Sequence, residues 1–324
     1  MLGAGAWGTA LAIAFHPSHS VRLWSRAGAS REALRRERAS PYLPGVVLPG
    51  SVAIEEDLRA AIGEADLVIA ATPTAGLRET LSAVASLRAD APVLFACKGF
   101  ETATGLLPHQ VTAQALPAAR LTGALSGPSF ALEVAQGLPA ALTVASTDAA
   151  FASQMATALN GPRLRLYSST DLIGVELGGA LKNVIAVAAG IADGLSLGRN
   201  ARAALITRGL AEIARLGQAL GGRPETFMGL TGLGDLVLTC TGDLSRNRTV
   251  GLRLAKGETL AAILASLGHV SEGVASARAA AQLAAAHGIE MPITAAVCRV
   301  LFEREAPLRA VESLLARDPR AEGL

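Results

Sequence analysis

Gly3-Ala4-Gly5-Ala6-Trp7-Gly8, running straight into Thr9-Ala10-Leu11-Ala12-Ile13-Ala14, is the stretch on which the fold turns. Its glycines fit the pattern G-x-G-x-x-G, and the residues behind them make a good helix start. In that pattern Gly3 allows a tight turn and Gly5 lets backbone N–H groups approach a pyrophosphate. Gly8 lets the helix pack on its strand, and the helix N-terminus favours negative charge. Taken alone the motif is weak, and a ligand-free Gly-rich turn remains the alternative reading.

Its surroundings support a dinucleotide site. Residues 21–24 read as the next strand, at whose end a cofactor ribose would lie. NAD-preferring sites usually carry an acid there; this chain has Ser25 and Arg26. A guanidinium suits a 2′-phosphate, so NADP is expected alongside NAD. The bland alternative is a solvated surface arginine. Only Met1 and Leu2 precede the motif, where a strand of about five residues is expected. The expectation is therefore a first strand cut short, with the start several residues late or the chain trimmed.

Further along, short apolar runs at residues 21–24, 67–71, 92–96, 121–125, 141–145 and 164–167 alternate with helix-like stretches. That rhythm predicts a parallel sheet covered on both faces. From Asp171 the strand signals stop, and Ala/Leu-rich segments at 171–195, 199–220, 273–287 and 292–303 read as helices. The predicted fold is an α/β Rossmann-like doubly wound parallel sheet at the N-terminus (1–170), followed by an all-α C-terminal domain (171–324).

Composition narrows the function classes. Of 324 residues 51% are hydrophobic and 17% charged, with a net charge of +2. No basic block or aromatic-interleaved Lys/Arg stripe points to nucleic acid. The mean hydropathy is positive, yet the most apolar stretches are short or interrupted; residues 181–192 include Lys182. None supplies about 18 to 20 uninterrupted apolar residues, so no membrane insertion is expected. The motif begins where a charged leader would sit. Three widely spaced cysteines, Cys97, Cys240 and Cys298, suit free thiols in a reducing cytosol. No metal-ligand cluster is evident.

Several segments carry candidate chemistry. Thr72-Pro73-Thr74 and Cys97-Lys98-Gly99 follow strands, where open α/β sheets bind ligands. Lys98 reads as a ligand contact or a structural ion pair. Ser126-Gly127-Pro128-Ser129 ends another strand; Ser129 faces a ligand or acts as a helix cap. In the helix-like segment from Glu176 to Ala186, Gly178 and Gly179 each cost about 1 kcal/mol against Ala, which makes sense if something approaches closely. Lys182 lies one turn on from Gly178 among apolar neighbours. Desolvation there lowers a lysine pKa toward the range useful for proton transfer; a snorkelling lysine is the alternative. Asp235, after the turn Gly232-Leu233-Gly234, is placed to orient Lys182, to bind a substrate hydroxyl, or to cap a helix. Ser245 is a good N-cap, with Arg246 and Asn247 in the first turn beside unpaired N–H groups, an arrangement that suits a phosphate. Arg246 and Arg248 there oppose the helix dipole, a conflict an anion would relieve. An ordinary solvated basic turn is the alternative.

Together these segments resemble the NAD(P)-dependent glycerol-3-phosphate dehydrogenases, bacterial type, over nearly the whole chain. The resemblance adds Tyr42-Leu43-Pro44-Gly45, Leu181-Lys182-Asn183-Val184, the stretch from Asn200 to Gly209, and Glu272-Gly273. It implies an oxidoreductase interconverting glycerol 3-phosphate and dihydroxyacetone phosphate with NADP or NAD, serving glycerophospholipid synthesis in the cytoplasm. It implies Lys182 as proton donor and acceptor, supported by Asp235 and Lys98. Implied substrate positions are Lys98, Gly127, Ser129, Lys182, Asn183, Asp235, Ser245, Arg246 and Asn247. Implied cofactor positions are Gly3, Gly5, Ala6, Trp7, Gly8, Arg26, Tyr42, Lys98, Ala131, Arg246, Val270 and Glu272. Ala6 stands where many members carry Ser, which removes one pyrophosphate hydrogen bond but not the backbone cradle. The expected partner is a small phosphorylated three-carbon substrate; a homodimer is compatible. Two rivals stay open: a related two-domain hydroxyacid dehydrogenase, and a non-catalytic dinucleotide sensor.

Overall fold

The computed structural model describes residues 1–26, 28–87, 90–117, 120–267 and 271–318. The chain forms two compact units, Met1–Glu101 with Leu106–Leu172, and Thr102–Gly105 with Ile173–Leu324.

The first unit contains β1 (Arg22–Trp24), β2 (Ala53–Glu55), β3 (Val68–Ala70), β4 (Val93–Phe95), β5 (Thr122–Ser126), β6 (Ala140–Ala145) and β7 (Leu164–Ser169). β1 pairs parallel with β2, and β3, β4 and β5 pair parallel in that order. The gap between β1 and β3 is where a first strand was expected to be missing. Met1–Gly3 fill it. Leu2 bridges both Trp24 and Ala70, with Leu2 N donating to Ile69 O at 2.8 Å and Trp24 N to Met1 O at 2.9 Å. Glycine motif and sheet are thus joined by a ladder only a few residues long.

Two features depart from the expected sheet. β2 was not anticipated: Ala-Ile-Glu is an edge strand without a fully buried residue, so it carries no apolar run. The sheet is also not parallel throughout. β6 runs antiparallel to β5, and β7 follows β6. The connection from β5 contains only the five-residue helix Ala131–Ala135, which does not carry the chain back across the sheet as a parallel crossover requires. Leu11, Phe15, Leu23, Ile69, Leu94, Leu125, Leu142, Val144 and Phe151 form the core beneath these strands.

The second unit is helical. Its central helix, Leu172–Gly194, is long and apolar enough to cross a membrane, but 89% of its most apolar window is buried inside the protein. It is a core helix. Gly198–Ala219, Glu272–Ala286 and Pro292–Phe302 occupy the other expected positions. A short π-helical turn, Leu230–Gly234, leads into the helix Asp235–Thr241.

Glu212, buried in Gly198–Ala219, ties two of these helices. Its carboxylate accepts from Ile293 N at 2.6 Å, Thr294 N at 3.1 Å and Thr294 Oγ1 at 3.0 Å, capping the start of Pro292–Phe302. Burial raises its pKa, and the three hydrogen bonds pull it down less strongly. The folded state therefore holds this proton more tightly than the unfolded chain. The resulting stability is fully present below the unfolded pKa and is lost as pH rises through the folded value. Glu212→Gln should destabilise the protein by about 1 to 3 kcal/mol, and the deficit should shrink between pH 4 and pH 7 in urea melts. A deficit that grows with pH would contradict this assignment.

Candidate functional site

In the first unit, the reason for each glycine of the motif is steric. Gly3 has φ +110°, and a Cβ there would lie 2.7 Å from Ala71 O. A Cβ on Gly8 would lie 1.9 Å from Gly3 O, so only glycine lets the helix Ala6–Phe15 rest on the turn. A Cβ on Gly5 would meet nothing within 4 Å; that side of the turn is open. The N-cap is Gly5, which makes no side-chain cap bond, so it offers the first-turn N–H groups no competing acceptor. Trp7 Nε1 and Thr72 Oγ1 are buried polar atoms without a partner among the described residues. Open turn, helix N-terminus and orphaned donors fit a dinucleotide phosphate.

Around this cradle, Leu43 packs against Trp7, Ala10 and Val134. The loop carrying Tyr42, itself 40% exposed, is pinned by Arg38. Its guanidinium donates to the carbonyls of Leu48, Pro49 and Val52 at 3.0, 2.5 and 2.7 Å. Arg26 lies just beyond β1, strongly exposed and 3.6 Å from an equally exposed Glu79, a pair worth little in water. At the ends of β4 and β5 the structure brings together Lys98, Gly127 and Ser129. Lys98 Nζ donates to Gly127 O at 3.0 Å, and Ser129 Oγ to the same oxygen at 3.1 Å. Ala131 begins the next helix.

In the second unit, Lys182 is 6% exposed and Asp235 fully buried. Lys182 Nζ makes a short charge-assisted hydrogen bond to Asp235 Oδ1 and a second to Thr239 Oγ1 at 3.0 Å. Thr239 in turn donates to Asp235 O at 2.6 Å, which leaves its oxygen facing the ammonium. The close approach foreseen at Gly178 comes from the chain itself. A Cβ there would lie 2.4 Å from Thr231 O, so the glycine admits the π-turn that delivers Asp235. Next along the Leu172–Gly194 helix, Asn183 Oδ1 accepts from Asn247 Nδ2 at 2.9 Å. That bond ties the lysine helix to the start of Arg246–Ala255.

Ser245 caps that helix, accepting from Arg248 N at 3.3 Å. The two arginines of its first turn have different fates. Arg248 pairs with Asp193 at 2.8 Å and Asp243 at 2.9 Å; Asp193 is also held by Arg202 at 3.0 Å. Arg246 is exposed. Surrounding protein lowers its pKa by partial desolvation, and Glu272 opposes the shift through space. The conflict with the helix dipole is therefore settled internally for Arg248 and left for Arg246. Glu272 begins the helix Glu272–Ala286. Val270 lies outside the described residues.

Sequence reasoning missed Thr239, Asp193 and Arg38. Thr239 is one turn beyond Asp235 on the same helix, a spacing that could have found it. Arg38 acts on carbonyls 10 to 14 positions on, and Asp193 on arginines 9 and 55 positions on, spacings that no helix or strand period signals. Burial pushes the Cys240 thiol up to about 12 and the half-buried Cys298 thiol to about 11, so neither supplies a thiolate nucleophile near neutral pH.

These features have close counterparts. Residues 1–152 match the family model for the NAD-dependent glycerol-3-phosphate dehydrogenase N-terminus, and residues 171–312 that for its C-terminus. A glycerol-3-phosphate dehydrogenase [NAD(P)+] of Thiobacillus denitrificans is 58% identical over 323 residues, 99% of this chain and 98% of that protein. The one from Aromatoleum aromaticum is 56% identical over 324 residues, 99% of each chain. The crystal structure of glycerol-3-phosphate dehydrogenase from Coxiella burnetii superimposes with a TM-score of 0.92 at 40% identity, covering 98% of each chain. A cradle shaped for a dinucleotide, a buried lysine–aspartate pair and two end-to-end family matches lead to one conclusion: the chain belongs to the NAD-dependent glycerol-3-phosphate dehydrogenase family.

Proposed function

We propose that this protein interconverts sn-glycerol 3-phosphate and dihydroxyacetone phosphate using NAD(H) or NADP(H). The observation that carries the reading is the Asn183–Asn247 hydrogen bond of 2.9 Å. It joins the neighbour of a buried ammonium, Lys182, to the neighbour of an exposed arginine at a helix start, Arg246. In this reading a proton source and an anion grip belong to one compact unit.

Bound NAD(P)H would supply the hydride that adds to C2 of dihydroxyacetone phosphate. Gly3, Gly5, Ala6, Trp7 and Gly8 would hold its pyrophosphate; Arg26, Tyr42, Lys98, Ala131 and Glu272 are assigned to the rest of the cofactor. Lys182 gives a proton to the C2 oxygen as negative charge develops there, and takes it back in the oxidative direction. Asp235 and Thr239 hold the ammonium in place. Arg246 and the first-turn N–H groups of Arg246–Ala255 bind the phosphate, with Ser245 and Asn247 beside it. Binding energy from the phosphate thereby orients the reacting carbon. Lys98, Gly127 and Ser129 are assigned to the substrate in the same reading. A homodimer, a cytoplasmic location and supply of glycerol 3-phosphate for glycerophospholipids complete it.

The test is turnover of dihydroxyacetone phosphate with NADH and with NADPH, run beside unphosphorylated dihydroxyacetone. We expect activity with the phosphoester and a kcat/KM at least about 100-fold lower without its phosphate, the scale of losing charge-assisted hydrogen bonds worth about 3 kcal/mol. Dinucleotide binding without turnover would favour the sensor reading. Indifference to the phosphate would favour another hydroxyacid substrate. Arg246→Ala should raise the KM for dihydroxyacetone phosphate by about 10- to 100-fold; an unchanged KM would remove this arginine from the phosphate site.

A further inference from the structure

We propose that Ser271 is a positioning residue: its hydroxyl fixes the Asn247 carboxamide so that Asn247 meets the substrate as a hydrogen-bond donor only. This rests on the functional reading above and extends it to a residue that neither the motifs nor that reading used.

Ser271 is the N-cap of Glu272–Ala286, yet its side chain makes no capping bond to its own helix. It is 3% exposed. Its Oγ reaches across to Asn247 Oδ1 at 2.6 Å. Gly273 N donates to that same oxygen at 2.9 Å. Asn247 therefore supplies the cap that Ser271 withholds, and the two helix starts are locked to each other.

The chain of bonds has one direction. Asn247 Nδ2 donates to Asn183 Oδ1 at 2.9 Å, and Asn183 Nδ2 donates to Gly179 O at 3.3 Å. A flipped Asn247 amide would turn its NH2 toward Gly273 N–H, which can only donate, and toward the serine hydroxyl. Both lone pairs of Asn247 Oδ1 are engaged in the network. What the side chain retains for a ligand is an N–H, suited to a phosphate or hydroxyl oxygen.

The network is tight where it matters. A Cβ on Gly273 would lie 2.4 Å from the backbone Asn183 O and 2.8 Å from Asn247 Oδ1, so the helix Glu272–Ala286 presses directly on the Asn183 backbone carbonyl and the Asn247 carboxamide. Each amide or hydroxyl of the network adjoins a residue assigned to ligand: Asn183 follows Lys182, Asn247 follows Arg246, and Ser271 precedes Glu272.

The experiment compares the full-length wild type with Ser271→Ala and Ser271→Thr. It measures kcat, the KM for dihydroxyacetone phosphate, the dinucleotide Kd and Tm. In Ser271→Ala the KM for dihydroxyacetone phosphate should rise about 5- to 10-fold, the effect of one lost hydrogen bond, with kcat and dinucleotide Kd within about twofold. Ser271→Thr keeps the hydroxyl and should return KM to within about twofold of wild type. An Ala variant that loses Tm but keeps the wild-type KM would make Ser271 a structural residue and overturn the proposal. So would a folded Thr variant with the same raised KM as Ala. A wild type that binds dinucleotide but does not turn over dihydroxyacetone phosphate would instead overturn the functional reading beneath it.

Discussion

Lys182→Ala should lower kcat by about 10³- to 10⁴-fold, at the upper range for loss of a positioned general acid, while the dinucleotide Kd stays within about threefold. The glycine turn and the Ala6–Phe15 helix start belong to the first unit, so the proposed pyrophosphate cradle is not touched by the change. A loss in kcat and kcat/KM together, without a loss in cofactor binding, is the signature of an interaction made in the transition state. Near-normal turnover would remove Lys182 from the mechanism.

The same substitution perturbs stability, and the two effects need separating. Asp235 is fully buried and loses its cationic partner. Breaking a buried pair from one side typically costs about 3 to 5 kcal/mol, because a desolvated charge is left behind. Lys182→Met combined with Asp235→Asn removes both charges and keeps most of the volume. It should recover much of the lost Tm in thermal melts while kcat stays at the level of the single variant. If activity returned along with stability, the lysine would be scaffold rather than proton donor.

How much of this was legible in the sequence depends on where each signal resides. The runs containing Val68–Ala70 and Val93–Phe95 stand out because both faces of these strands are buried, leaving no polar alternation. β2 is invisible for the opposite reason. The reversal of β6 is not encoded in its residues at all; it is set by the short connection before it. In the site, Lys182 and Asp235 were both nameable, but their contact spans 53 positions and depends on a tertiary approach. The arginines of the Arg246–Ala255 helix show the same limit. Sequence revealed the conflict with the dipole, and only the fold shows that Asp193 and Asp243 neutralise Arg248 while Arg246 stays exposed.

Gly178→Ala tests that tertiary approach directly, because helix propensity and packing predict opposite signs. In an isolated helix, alanine would gain about 1 kcal/mol over glycine. Here the new Cβ would lie 2.4 Å from Thr231 O and 3.0 Å from Thr231 C, backbone atoms that cannot rotate away. Either the Leu172–Gly194 helix or the π-turn Leu230–Gly234 must move, and overpacking of this kind costs about 1 to 3 kcal/mol or more. The π-turn is continuous with Asp235, which starts the next helix. Displacing it shifts the carboxylate that holds Lys182, and a misplacement of about 1 Å in a catalytic group costs on the order of 100-fold in rate. We expect a net loss of about 1 to 2 kcal/mol in denaturant melts and a fall in kcat/KM of about 100-fold, with the dinucleotide Kd unchanged. If the variant were stabilised, as propensity alone demands, and kept its kcat/KM, the turn would not press on this helix, and another feature would have to position Asp235 against Lys182.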